Sequence, residues 1–347
     1  MALKDQVDRL SLYFNSPGEV VLREEHIPPP GPGEVLVRSS LSAISAGTEM
    51  LLYRGQFPEH LPMDPVIGKL AGGFSYPIKY GYSTVGEIVE LGEGVDANQL
   101  GSKVFAFQPH ASHFTSDVNS LQIIPDGLTK EDSVFLPNME TAVSLTMDGA
   151  PMIGERVVVL GQGIVGLLTT ALLAQYPLQS LVTFDRYDLR RQRSLEFGAQ
   201  DSLNPEDERT LDQYLQLDKK EATSKGADLV YELSGAPEAL NLAISMCGFE
   251  GRVVIGSFYG KKRAEVDLGG WFHRNRIKVT SSQVSNINPE LSGRWDKSRR
   301  FEVAWEMLKQ VKPSRLITHS FPFRDAAQAY HVLDTNPGET IQVVFEY

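Results

Sequence analysis

Residues Arg156 to Asp185 read RVVVLGQGIVGLLTTALLAQYPLQSLVTFD and lie near the middle of a 347-residue chain. The β-branched run Arg156–Leu160 predicts a buried strand, and Gly161-Gln162-Gly163-Ile164-Val165-Gly166 follows at its exit. An apolar helix is expected from Ile164 to Tyr176, stopped by Pro177. A second strand, Leu181–Phe184, then ends on Asp185, 19 positions after Gly166.

Each part of this stretch has a physical role. In a G-x-G-x-x-G turn the first glycine allows the tight bend. The second lets backbone N–H groups approach a pyrophosphate, and the third permits close helix–strand packing. The helix N-terminus adds unpaired N–H donors and a positive dipole end. Asp185 can accept hydrogen bonds from the adenosine ribose hydroxyls and would repel a 2′-phosphate, which favours NAD over NADP. Arg186 complicates this preference, because an arginine beside the ribose is one way to accommodate NADP. Strand, glycines, helix and acid together signal far more than a glycine triplet alone.

A chain of this length suggests about two domains. With 41% hydrophobic and 22% charged residues it has an ordinary globular composition. The formal charge of −11 and the lack of a basic stripe argue against nucleic acid as a partner. Lys261-Lys262-Arg263 is short and reads as a solvated loop. No apolar run reaches the ~18 residues of a membrane span. The opening Met1-Ala2-Leu3-Lys4-Asp5-Gln6 lacks a signal-peptide core, so a cytoplasmic location is expected. Cys247 is the single cysteine, which rules out disulfides within the chain and cysteine-built metal sites.

Before the glycine turn, short strands are expected at Glu34–Arg38, Thr84–Glu90, Lys103–Phe107 and Leu121–Ile124, punctuated by proline and glycine. From Gly154 strands and helices alternate. Strands are expected at Leu229–Leu233, Val253–Gly256 and Ile277–Thr280, with helices around Leu189–Phe197 and Pro237–Met246. This alternation predicts an α/β fold: a doubly wound parallel sheet covered by helices, with ligand at the carboxyl ends of its strands. A helix Phe301–Lys309, a strand Arg315–Phe321, a helix Asp325–Leu333 and a strand Ile341–Phe345 return to the opening style.

A nucleotide domain placed late in a β-rich domain resembles the medium-chain dehydrogenase/reductase superfamily, and the resemblance covers nearly the whole chain. It is carried by Pro30-Gly31-Pro32-Gly33-Glu34-Val35-Leu36-Val37, Tyr53-Arg54-Gly55, Ile124-Pro125-Asp126-Gly127-Leu128 and Gly154-Glu155-Arg156-Val157. It implies a Rossmann NAD-binding domain at 147–285 and a GroES-like catalytic domain at 1–146 and 286–347. It also implies a small-molecule substrate and a homodimer built by edge pairing of nucleotide-domain sheets.

Zinc-dependent members carry a cysteine in a G-x-C-G-x-D segment and a later G-H-E. Here the first segment reads Ala43-Ile44-Ser45-Ala46-Gly47-Thr48-Glu49 and the second Gly81-Tyr82-Ser83, so the usual donors are missing and no catalytic zinc is expected. His110 and His113, in a predicted loop, with Glu49 and Glu140, are an alternative donor set. Without zinc, oxidising an alcohol still needs a base for the hydroxyl proton and a dipole for the alkoxide. Tyr82 stands at a metal-ligand position and could relay a proton. An unperturbed phenol titrates at roughly 10, so it would need a cation or histidine nearby. His110 is the second candidate. Ser45, Thr48 and Glu49 could orient substrate or pass the proton on.

On the cofactor side the resemblance implies that Thr141 packs beside the nicotinamide and that Ser234-Gly235 lies on the adenosine side. Gly256-Ser257-Phe258 and Ser281-Ser282-Gln283 would meet the nicotinamide amide. Ala71–Ser83, Pro109-His110-Ala111, and Trp271–Val284 with Arg294-Trp295-Asp296 resemble a zinc-lacking branch that includes bacteriochlorophyllide hydroxyethyl dehydrogenases. The aromatic and basic groups of that last stretch could grip an acidic or ring-shaped substrate, or form a surface loop beside the dimer contact. The expected activity is a zinc-independent, NAD-linked oxidation of a secondary alcohol or reduction of its ketone. An enone or quinone reductase using NAD(P)H and a non-catalytic NAD-binding protein are the alternatives.

Overall fold

The computed structural model describes residues 7–61, 73–212 and 226–347. Met1–Gln6 and the Ala71-Gly72 pair of the branch-specific segment lie outside them. The chain divides into two units, one of Met1–Pro137 with Lys312–Tyr347 and one of Asn138–Val311.

In the first unit, β1 (Val7–Ser16) and β2 (Glu19–Ile27) form a hairpin that the sequence reading did not name. Its turn uses Gly18 at φ +79°, and Leu12 and Phe14 alternate inward as a half-buried strand requires. The larger sheet is built from β3 (Glu34–Ala43), β4 (Thr84–Leu91), β5 (Lys103–Ala106), β6 (His113–Asp117) and β7 (Gln122–Ile123), with β14 (Ile317–Pro322) and β15 (Gln342–Glu346). Its order is β14-β15-β3-β4-β5-β7, with β6 also paired to β3. The antiparallel pairing of β15 with β3 brings Phe345 opposite Ser42 across 303 positions of chain. One core gathers Leu12, Phe14, Leu52, Tyr330 and Phe345, the other Val35, Val37, Ile88, Val104 and Phe114.

The stretch around His113, expected as loop, enters β6 because β3 offers a second edge at Glu34–Arg38. The strand expected from Arg315 begins only at Ile317, since Pro313 opens a short 3-10 turn over Pro313–Leu316. Leu121–Ile124 pairs over two residues only.

The second unit holds a parallel six-stranded sheet: β8 (Arg156–Leu160), β9 (Ser180–Phe184), β10 (Asp201–Leu203), β11 (Ala227–Glu232), β12 (Cys247–Ile255) and β13 (Lys278–Ser281). The order β10-β9-β8-β11-β12-β13 is the 3-2-1-4-5-6 arrangement of dinucleotide-binding sheets, with its switch point between β8 and β11. β8 and β11 are buried almost throughout, as strands covered on both faces must be. Ile164–Leu173 is the helix after the glycine turn, three residues shorter than expected at its C-terminal end. The helix after β9 runs Asp188–Glu196 and closes on Gly198 at φ +100°.

The unit boundaries fall at 137/138 and 311/312, whereas the sequence placed them at 146/147 and 285/286. The helices Leu136–Gly149 and Lys297–Val311 explain the shift. Arg300, 1% exposed, donates to Glu140 at 2.5 Å, to Ser144 Oγ at 2.7 Å and to the carbonyls of Val284 and Asn286. That buried guanidinium ties the second helix into the nucleotide unit.

Candidate active site

At the exit of β8 the three glycines are distinguished by what a side chain would meet. A Cβ on Gly161, which sits at φ +90°, would lie 2.5 Å from Ser234 Cα. One on Gly166 would lie 2.0 Å from the Gly161 carbonyl oxygen. One on Gly163 would meet nothing within 4 Å, so the turn is packed behind and open in front. That open side carries the first N–H groups of the Ile164–Leu173 helix, with Gly163 as N-cap, Val165 in its first turn, and Ile164 buried. Gln162 turns inward, its amide bonded to the Gly161 carbonyl and its Oε1 accepting from Thr170.

Asp185 ends β9 and is 7% exposed. Its Oδ2 accepts the Gln162 N–H at 2.8 Å and its Oδ1 accepts the Tyr187 N–H at 2.9 Å. A carboxylate has about four acceptor positions, so two remain for ribose hydroxyls. Arg190 Nη1 stands 3.9 Å from Oδ2, and Arg186 is exposed, 3.9 Å from Glu206. The groups present therefore fit a dinucleotide: an open glycine cradle, a helix N-terminus and a buried acceptor.

Ser234 lies across the switch point from Gly161. Its N–H and hydroxyl both donate to Oε1 of Glu232, a carboxylate with no exposure at the end of β11. Tyr259 OH reaches the other oxygen at 2.5 Å, and burial pushes that phenol well above its ordinary range. Ser257 Oγ accepts the Gly235 N–H at 2.9 Å. Gly256 is closed, since its Cβ would meet Leu233 and Leu145. Ser282 donates to Asp148 at 2.6 Å, and Thr141, half-buried, stands beside Glu140 on the Leu136–Gly149 helix. Strand ends thus bring Gly161, Asp185, Ser234, Ser257 and Ser282 to one edge of the sheet.

Trp271 and Arg276, considered as substrate grips, are engaged within their own unit. The indole donates to the Cys247 carbonyl at 2.8 Å and Arg276 pairs with Glu250 at 2.8 Å. Arg299 lies over the Trp295 ring at 4.1 Å.

In the β-rich unit Tyr82 is half-buried and donates to Ser45 Oγ at 2.5 Å. Ser45 Oγ also accepts the Thr48 N–H at 3.3 Å, and the Ser45 N–H donates to Glu49 Oε1 at 2.8 Å. Glu49 and His110 are both wholly buried, with Glu49 Oε2 3.1 Å from His110 Nε2. Tyr330 donates to the same oxygen, and burial with the neighbouring Glu49 raises its phenol well above the ordinary range. His110 Nδ1 lies 2.7 Å from Ser42 Oγ, which lies 2.8 Å from Tyr347 OH.

His110, offered as a base for the substrate hydroxyl, and Glu49, offered to orient substrate or pass the proton on, are both packed in the core; His110 is bonded to Ser42 and Glu49 to the Ser45 N–H. His110 does not join His113 either: His113 sits at the start of β6 against Ser112, with burial holding its imidazole low. Glu140, the remaining carboxylate considered, belongs to the other unit and is paired with Arg300. Glu49 Oε1 accepts the Ser45 N–H, Glu49 Oε2 faces His110 Nε2 and the Tyr330 hydroxyl, and His110 Nδ1 faces Ser42 Oγ. Among the described residues no group of three or more His, Cys, Asp or Glu converges.

The sequence reading missed Tyr330, Ser42, Tyr347, Arg300 and Tyr259. Tyr330 is 281 positions from Glu49 and Arg300 is 160 from Glu140. No local spacing signals such pairs.

A family model described as zinc-binding dehydrogenase matches residues 165–301. D-guloside 3-dehydrogenase of Escherichia coli strain K12 is 25% identical, over 89% of this chain and 92% of that protein. Starvation-sensing protein RspB of the same strain is 22% identical, over 97% of this chain and 99% of that protein. The solved structure of RspB from E. coli CFT073, described as an alcohol dehydrogenase complexed with NADH, superposes with a TM-score of 0.77. It is 21% identical and covers 98% of this chain and 99% of that one. Over residues 165–301 the chain matches the zinc-binding dehydrogenase family, and its glycine turn, strand order and whole-chain likenesses are those of the medium-chain dehydrogenase/reductase superfamily.

Proposed function

We propose that this chain is an NAD-linked oxidoreductase that interconverts a secondary alcohol and its ketone without a zinc ion. The observation that carries the cofactor side is Asp185, buried at the end of β9 and fastened to the glycine turn through the Gln162 N–H. Gly161, Gly163 and Gly166, with Ile164 and Val165 opening the helix, would seat the pyrophosphate. Thr141, Ser234, Gly256, Ser257 and Ser282 would flank the rest. When bound, NAD supplies the hydride acceptor, and NADH the donor.

The chain's own residues would handle the proton. Tyr82 offers a phenol held by Ser45 Oγ, and Ser45 and Thr48 offer hydroxyls that could orient the substrate oxygen. Glu49 and His110 hold this turn from behind. Replacing Tyr82 with phenylalanine leaves the packing of a half-buried ring and removes one hydroxyl. Activity on a panel of secondary alcohols, sugar alcohols and ketones should fall about 10²–10³-fold with the melting temperature nearly unchanged. Full activity in that variant would move the proton path elsewhere. Stoichiometric zinc required for turnover would overturn the zinc-independent reading.

Asp185→Ala tests the cofactor reading. Loss of hydrogen bonds to a charged acceptor should weaken NADH binding by about 10–100-fold, measured by fluorescence titration, while NADPH binding changes less. Unchanged NADH affinity would end the assignment of Asp185 to the ribose. The runner-up, an NADPH-linked enone or quinone reductase, draws support from Arg186 and Arg190 beside Asp185. Tighter binding of NADPH than NADH by the wild type would favour it.

A homodimer is further proposed through the edge of β13, whose four residues are all exposed. No helix among the described residues is long and apolar enough to cross a membrane. A cytoplasmic location is proposed from the sequence reading.

A further inference from the structure

The buried polar chain of the β-rich unit has two ends, and only one of them is taken up by the function proposed above. Glu49, His110 and Ser42 are each 0% exposed. Two such ionisable groups in a protein core carry a large desolvation cost unless they are fully hydrogen-bonded. Here the side chains are connected without a gap: Glu49 Oε2 to His110 Nε2 at 3.1 Å, His110 Nδ1 to Ser42 Oγ at 2.7 Å, and Ser42 Oγ to Tyr347 OH at 2.8 Å. Every member both donates and accepts a proton at some protonation state or tautomer, which a merely space-filling polar group need not do.

The imidazole is tightly confined. A Cβ on Gly81 would lie 2.7 Å from His110 Cδ2, and the Phe345 ring stands edge-on at 5.2 Å. Confinement keeps both ring nitrogens on their partners. At the far end Tyr347, 36% exposed as a residue although burial raises its phenol well above the ordinary range, lines a surface cavity of about 520 Å³ together with Asp8, Arg9, Ser112, Arg324 and Glu346. That volume is in the range of small-molecule pockets and many times the ~30 Å³ that one water takes up in the liquid.

We propose that Glu49–His110–Ser42–Tyr347 is a proton path that connects the buried Glu49 carboxylate to solvent in this cavity. In the outward direction the Glu49 carboxyl proton passes to His110 Nε2 while the Nδ1 proton passes to Ser42 Oγ. The Ser42 hydroxyl proton passes to Tyr347 Oη, and the Tyr347 phenolic proton leaves to cavity water. One O–H or N–H bond forms for each that breaks, and Glu49 ends as the carboxylate. Tyr330, which donates to Glu49 Oε2, holds the carboxylate in line and is a positioning residue. The link from this path to the reaction rests on the reading of Tyr82 and Ser45 given above; the path itself does not.

The test uses the full chain with ring-¹⁵N histidine and measures exchange of the His110 ring N–H with water by NMR saturation transfer. His110→Gln identifies the resonance among the seven histidines. Ser42→Ala removes the middle link and Tyr347→Phe the outer hydroxyl. Each should slow the exchange at least tenfold, and a resonance that appears only in the variants counts as the same result. Ser42→Thr, which keeps a hydroxyl, should restore the wild-type rate. Loosened packing acts in the opposite direction, because opening of the core speeds exchange. Exchange that is unchanged or faster in folded Ser42→Ala or Tyr347→Phe overturns the path. If Ser42→Ala does not fold, Tyr347→Phe decides alone. Failure here leaves the Tyr82 and Asp185 assays untouched, so the two readings fall separately.

Discussion

Arg300→Met should destabilise the nucleotide unit by about 3–5 kcal/mol at neutral pH, because it strips the partner from a buried carboxylate. Arg300 is 1% exposed, and its guanidinium makes five hydrogen bonds in reach of Glu140, Ser144, Val284 and Asn286. Burial already raises the Glu140 carboxyl above its ordinary range, against the opposing pull of Arg300. Removing Arg300 takes away most of that opposition and raises the carboxyl further. A carboxyl whose folded value lies above its unfolded value is most favourable to the fold at low pH, and that contribution is lost as pH rises through the folded value. The deficit of the variant should therefore be smallest near pH 5 and widen towards pH 8 in urea unfolding curves. A loss of equal size at both pH values would show that packing of the long side chain, not the charge, is what matters.

Two alanines three positions apart should give opposite phenotypes. At Gly166 the new methyl would have to sit 2.0 Å from the Gly161 carbonyl oxygen, which is backbone and cannot rotate away. Helix and strand must separate, and a loss of about 3 kcal/mol or failure to accumulate soluble protein is expected. At Gly163 nothing stands within 4 Å, and the residue is the helix N-cap in an extended conformation that alanine also adopts. Gly163→Ala should keep its fold within about 1 kcal/mol. Its methyl would project into the space through which backbone N–H groups approach a pyrophosphate, so NADH affinity should fall at least tenfold. Wild-type NADH affinity in Gly163→Ala, by fluorescence titration, would remove the cofactor from this turn.

Much of the nucleotide unit was legible because its determinants are local. The β8 strand, the glycine turn, the helix and Asp185 lie within thirty consecutive residues, and each obeys a rule that acts over a few positions. The hairpin β1–β2 lacks a strong local turn signature: its short connection is Pro17-Gly18, and only the antiparallel register of the two strands defines it. His113 was placed in a loop because β6 exists only where β3 supplies an edge. The helix Lys297–Val311 was given to the wrong side of the boundary because Arg300 carries no local sign of its partner.

By itself the sequence determined the parallel dinucleotide-type sheet, the position of Asp185 and the absence of the usual zinc ligands, all of which are matters of residue type and short spacing. Only the tertiary structure decided that His110 and Glu49 are interior partners, that Tyr82 rests on Ser45, and that Tyr330 and Tyr347 complete the chain. Those side chains meet across 61, 37, 281 and 305 positions. Strand pairing and core packing set such distances, and they depend on the whole fold, whereas helix and strand periods and turn residues do not reach beyond their own neighbours.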